Sequence, residues 1–173
     1  MKFTSVLVTV LVAVLLQTTL ARFTVGGSWV FDLVLVGVVF VGLQWGPTAG
    51  LVAGTMGGLL QDLLAGEVVG VSGLAKTIVG FLAGVIGTQF VLTRPHARWI
   101  IVAGGSIVHR VLMLALVALI EQRWPGTTWG AMLAETGLNT AVGFILFQAI
   151  TALPGMVARR RASRRTGFGR RQW

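Results

Sequence analysis

Seven side chains stand out because they are charged or strongly hydrogen-bonding within apolar runs: Asp32, Asp62, Lys76, His109, Arg110, Glu135 and Asn139. An ionisable group in hydrocarbon costs roughly 2.5–3.5 kcal/mol on insertion scales, so each needs a partner or a task. Two uses fit these residue types: ion pairs that staple helices, or a polar transport pathway. Asp62 and Lys76 flank one short loop and should lie at similar depth on antiparallel neighbours, which predicts a charge pair. The alternative is that Lys76 snorkels outward while Asp62 caps the loop. Arg110 has two possible partners, Glu135 and Asn139. At ~1.5 Å per residue Arg110 lies about 16 Å deep and Glu135 about 10 Å, so Asn139 matches Arg110 better in depth, and a long arginine reaches either. One pair and one Asn are too few for a proton relay, so a staple between helices is expected. Asp32 is expected at the outer interface, or as a first-turn carboxylate favoured by the helix dipole. His109 reads as a bundle-facing hydrogen-bonder, and His96 is too distant in the chain to complete a metal site.

Enzymatic chemistry finds no support. There is no Ser/His/Asp set at a common depth, no metal-ligand cluster and no phosphate-binding glycine loop after a strand, so neither catalysis nor a cofactor or metal is expected. Cys is absent, which excludes thiolate chemistry and disulfides.

The elements that must position these groups are membrane helices. Hydrophobic residues make up 55% of the 173, charged residues 11%, and mean hydropathy is +0.86; soluble domains hold about 25% charged residues. Six apolar blocks follow one another: 1–22, 29–43, 48–64, 74–92, 99–120 and 129–153. The first resembles a secretory signal but is expected to be a retained span, because more membrane sequence follows. Pro47 suits the first turn of the third block, and 65–73 reads as a loop.

The third block is expected to be the central packing helix. Gly42, Gly46, Gly50, Gly54 and Gly58 recur at every fourth position, and residues four apart share one helix face. In lipid such a strip lets another backbone come close. Twelve of the 24 glycines lie between Gly42 and Gly87, including Gly66, Gly70, Gly80 and Gly84.

Net charge is +9, but seven of the fourteen basic residues lie beyond Pro154. This tail (RRRASRRTGFGRR) is expected to face the cytoplasm and an anionic leaflet rather than nucleic acid. Lys2, Arg94 and Arg98 then also fall inside. The expectation is all-α: a polytopic six-helix transmembrane bundle, 1–153, with both termini cytoplasmic, and a basic tail, 154–173. Asp32, Asp62, Glu67, Lys76 and Glu135 would all lie in the outer half, which suits docking of a partner.

The run from Asp32 to Gly84 resembles the MreD family of rod shape-determining membrane proteins. Asp32-Leu33 opens a second span, and a turn with Gly46-Pro47 follows. A glycine-rich third span then ends in Asp62-Leu63-Leu64, before Gly66, Gly70 and a fourth span with Gly80 and Gly84. Beyond that run only size, span count and the basic tail agree. The resemblance implies a non-catalytic inner-membrane component of the bacterial cell-elongation machinery, which builds side-wall peptidoglycan. Its implied partners are an MreC-like protein, RodA and its penicillin-binding transpeptidase nearby, and the MreB filament indirectly. The glycine strips with Asp32, Asp62, Lys76 and the 65–73 loop would form the partner groove. The family is also similar in fold to the substrate-binding subunits of ECF vitamin transporters. The alternative is therefore a subunit that binds a small solute or lipid. Against it, Ala13 and Ala21 stand eight apart with Gln17 between them, so the Ala-x-x-x-Ala face of those subunits is missing.

Overall fold

The computed structural model describes residues 2–20, 31–66, 68–89, 95–122, 129–130 and 132–148. Expectations for Glu67, Arg94 and the tail 154–173 lie outside the described residues, as do the side chains of Lys2 and 95–97.

Every described element is a helix: α1 (Lys2–Leu20), α2 (Leu33–Trp45), α3 (Pro47–Ala65), α4 (Val71–Gln89), α5 (Pro95–Glu121) and α6 (132–148). No strand occurs among the described residues. Among the described residues three helices are long and apolar enough to cross a membrane: Phe3–Leu20, Val71–Gln89 and Arg98–Glu121. Helices α4 and α5 begin earlier than the apolar blocks suggest, at Val71 and Pro95, so only 66–70 remains as the loop between α3 and α4.

The central helix is α2, not α3. Its Val- and Leu-rich sequence has no polar face, and a helix apolar all round belongs in a core. Nine of its residues are buried, and it touches α1, α3, α4 and α5. On one side Val34, Val38 and Val41 meet Val6, Val10 and Val14 of α1 and Ala53 of α3. On the other, Leu35, Val36 and Val39 meet Val79 and Ala83 of α4, Val102 of α5 and Phe147 of α6.

Helix α3 lies beside this core and packs most closely on α4. A Cβ added at Gly50 would sit on the Gly80 carbonyl, and one at Gly80 on the Gly50 carbonyl. Gly54 abuts the Lys76 carbonyl, Gly58 abuts Gly73, and Gly84 abuts Pro47. Gly42 joins the seam from α2, where an added Cβ would stand 2.6 Å from the Gly80 oxygen. Gly66 and Gly70 share the spacing but not the role. Nothing lies within 4 Å of a Cβ at either, and their φ values are +69° and +101°. They are turn residues in a backbone region that glycine enters without penalty.

Helices α5 and α6 run antiparallel. Trp99 stacks edge-on against Phe144 at 4.6 Å, Asn139 reaches Ser106, and Arg110 faces Glu135. The residue numbers rise on one helix as they fall on the other.

Candidate functional site

The polar groups converge where α2 begins. Asp32 precedes its first turn and caps it: Oδ1 accepts from the Leu35 N–H at 2.9 Å, as a carboxylate at a helix N-terminus should. Oδ2 meets the Lys76 ammonium at 2.7 Å. Lys76 also donates to Ser72 Oγ, one turn earlier on α4, at 2.6 Å, and to His109 Nε2 on α5 at 3.3 Å. An ammonium has donors only, so Nε2 accepts and the neutral ring carries its proton on Nδ1. Nδ1 has no partner among the described residues.

Two carboxamides close the cluster. Asn139 of α6 accepts from the Asp32 N–H at 2.7 Å and donates to Ser106 Oγ at 3.3 Å. Gln17 of α1 accepts from the Leu33 N–H at 2.7 Å and donates to the Phe31 carbonyl at 3.0 Å. The buried start of α2 would otherwise present unpaired donors to an apolar surround. Five helices thus meet through one set of hydrogen bonds, with Lys76 1% and Asn139 0% exposed.

The expected Asp62–Lys76 pair does not form. Asp62 Oδ2 accepts from the backbone N–H groups of Gly70 and Gly73, at 2.8 and 3.3 Å, at the N-terminus of α4. Its charge is spent on that helix end, one turn short of Lys76, whose side chain points into the bundle toward Asp32. For Asp32 the helix-start alternative is the one seen: it caps α2 and is buried, with the ammonium and Asn139 around it. Arg110 faces Glu135 at 3.4 Å, while Asn139 bonds Asp32 and Ser106 instead.

Gln17, Ser72 and Ser106 were not singled out by the sequence reading. Gln17 carried a usable signal, as the lone carboxamide of an apolar span. Ser72 stands four residues before Lys76, which places it on the same helix face.

Asp62→Ala is expected to lower stability by about 1–2 kcal/mol, the range for losing a helix cap, and Asp62→Asn by less. Chemical unfolding of the purified protein in detergent measures both; equal losses would mean that the charge contributes nothing at the α4 terminus.

Among the described residues no group of three or more His, Asp or Glu is arranged to hold a metal ion. The arrangement can bind helices to one another, hold a fixed tautomer at His109 and resist separation of α2 from α4. Residues 1–124 match the family model of the rod shape-determining protein MreD. The chain belongs to the MreD family. The match runs from α1 through α5, well beyond the Asp32–Gly84 run that carries the resemblance by eye. No curated protein and no solved structure matches the chain. Membership makes this a rod shape-determining membrane protein, and its apolar helices are of the kind that spans a membrane. In this MreD-family chain the glycine seam between α3 and α4 and the cluster residues Gln17, Asp32, Ser72, Lys76, Ser106 and His109 lie inside the matched region, whereas Asn139 lies beyond it.

Proposed function

We propose that the chain is a non-enzymatic, multi-pass scaffold of the bacterial inner membrane that regulates cell shape and side-wall peptidoglycan synthesis by binding an MreC-like protein. RodA and its transpeptidase partner lie nearby in this reading, and the MreB filament is engaged indirectly. The observation that carries it is how the polar residues of the buried cluster are used. Asp32, Lys76, Gln17 and Asn139 are spent on hydrogen bonds between helices, which makes a rigid platform rather than a reaction centre. Residues 1–153 form six spans with both termini cytoplasmic, and 154–173 lie against anionic lipid.

Co-purification from native membranes tests the reading. Recovery of cell-wall synthesis proteins with the tagged chain is expected; recovery of none would count against it. Labelling of a cysteine introduced in the tail tests the topology, with protection from an external reagent expected in intact cells.

One feature favours the solute-binding alternative. A groove of about 410 Å³ lies between the α3–α4 turn and the end of α5, lined by Val68, Val71, Met113 and Val117. Thermal stabilisation of the purified protein by a vitamin-sized ligand would move the assignment to that reading.

A further inference from the structure

The bundle treats the cations Lys76 and Arg110 differently. The Lys76 ammonium has three partners, matching its three donors. Arg110 has five donors, and among the described residues its one contact is Glu135 Oε2 at 3.4 Å. That is outside the ~2.7–2.9 Å of a formed charge-assisted hydrogen bond. Its Nε is buried with no acceptor, and the Arg110 side chain is 34% exposed and that of Glu135 15%. Glu135 likewise has no other partner among the described residues.

Depth decides what can reach this pair. Arg110 precedes Glu121, the last residue of α5, by eleven positions, or about 16 Å of helix. A lipid headgroup therefore stays clear of it, and the missing partner has to come from a membrane-spanning segment. The adjoining surface leads the same way. Val102, Ser106 and His109 of α5 are buried in the bundle. The same helical stripe continues through Met113, Val117 and Ile120, which line the open groove beside Val71. So α5 parts from α4 one turn beyond Arg110.

We propose that this face receives a transmembrane helix of a partner protein that presents an Asn or Gln side chain at the depth of Arg110. A carboxamide offers an acceptor to the guanidinium and two donors to the Glu135 carboxylate. It does so without disturbing their mutual neutrality, whereas an extra charge of either sign would stand uncompensated in hydrocarbon. Apolar side chains of the partner helix fill the groove over Met113 and Val117. The inference rests on the scaffold reading and gives it a contact surface.

The test uses the full chain reconstituted in phosphatidylcholine vesicles with a synthetic Leu-rich transmembrane peptide carrying Asn, Asp or Leu at its centre. The chain has no cysteine, so Ile100→Cys on an exposed part of α5 takes a single dye, and energy transfer to a labelled peptide reports association. The Asn peptide is expected to bind about tenfold more tightly than the Leu peptide. The advantage should vanish in Arg110→Gln and survive in part in Arg110→Lys, with unfolding curves confirming that both variants are folded. Equal binding of Asn and Leu peptides overturns the proposal, as does an advantage that persists in Arg110→Gln. Tighter binding by the Asp peptide overturns the carboxamide assignment. Transfer between copies of the chain that Arg110→Gln abolishes would give the face to a second copy and overturn the partner assignment. If the peptides fail while cell-wall proteins still co-purify with the chain, this surface is wrong and the scaffold reading stands.

Discussion

Replacing Lys76 by Met is expected to cost about 3–5 kcal/mol, because it leaves the Asp32 carboxylate buried and without its cation. The side chain is 1% exposed and its nitrogen lies 2.7 Å from Asp32, so no water takes over the vacated position without opening α2 from α4. Methionine fills most of the volume, which separates loss of charge from loss of packing. The informative comparison is the double variant Lys76→Met with Asp32→Asn. Asparagine keeps an oxygen for the Leu35 N–H and removes the orphaned charge. The double variant is expected to be more stable than Lys76→Met alone, by an interaction energy of about 1–3 kcal/mol. Reversible unfolding in bicelles measures all three. If the single and double variants unfold alike, the ion pair contributes no coupling, and the cluster is held by its neutral hydrogen bonds.

The second large effect is expected at the glycine seam. Gly50→Ala or Gly80→Ala adds one methyl where a carbonyl of the facing helix already stands. Backbone cannot swing aside as a side chain does, so α3 and α4 must part along their length. A loss of at least about 3 kcal/mol is expected, the upper end of overpacking, against about 1 kcal/mol gained from helix propensity. Gly57→Ala should fall between, because its added Cβ meets Val34 Cγ1 at 2.8 Å, a side chain that can shift. Gly104→Ala and Gly137→Ala meet nothing within 4 Å and should be neutral or gain up to about 1 kcal/mol. The same unfolding assay ranks all five. If Gly50→Ala matches Gly104→Ala, the two backbones are not in contact.

The seam was legible because glycine every fourth residue leaves a smooth helix face whatever the fold. Its limits were not. Gly66 and Gly70 continue the count by four, but the helix ends at Ala65, and beyond a helix end the spacing no longer denotes a face. The partner of Lys76 was misread for a related reason. Sequence proximity across a hairpin favours Asp62, yet a carboxylate beside the free N–H groups of a following helix is drawn to them first. That leaves the lysine for Asp32, more than forty positions earlier. The role of α2 was hidden because a short, uniformly apolar run states that it is buried but not what surrounds it. Depth counting did not choose between Glu135 and Asn139 for Arg110: it set Asn139 at the level of Arg110 and Glu135 about 6 Å shallower, and Asn139 is taken by Asp32 and Ser106 instead.

The closeness of α3 and α4 also bears on how the chain enters the bilayer. Helix α3 is 19 residues long, yet it is not among the helices apolar enough to cross a membrane on their own. Four glycines and Asp62 dilute it, and lipid gives bare backbone little reward. Helix α4 does qualify and supplies the surface that α3 lacks. In the six-span reading proposed above, α3 and α4 are therefore expected to enter the bilayer together as a hairpin.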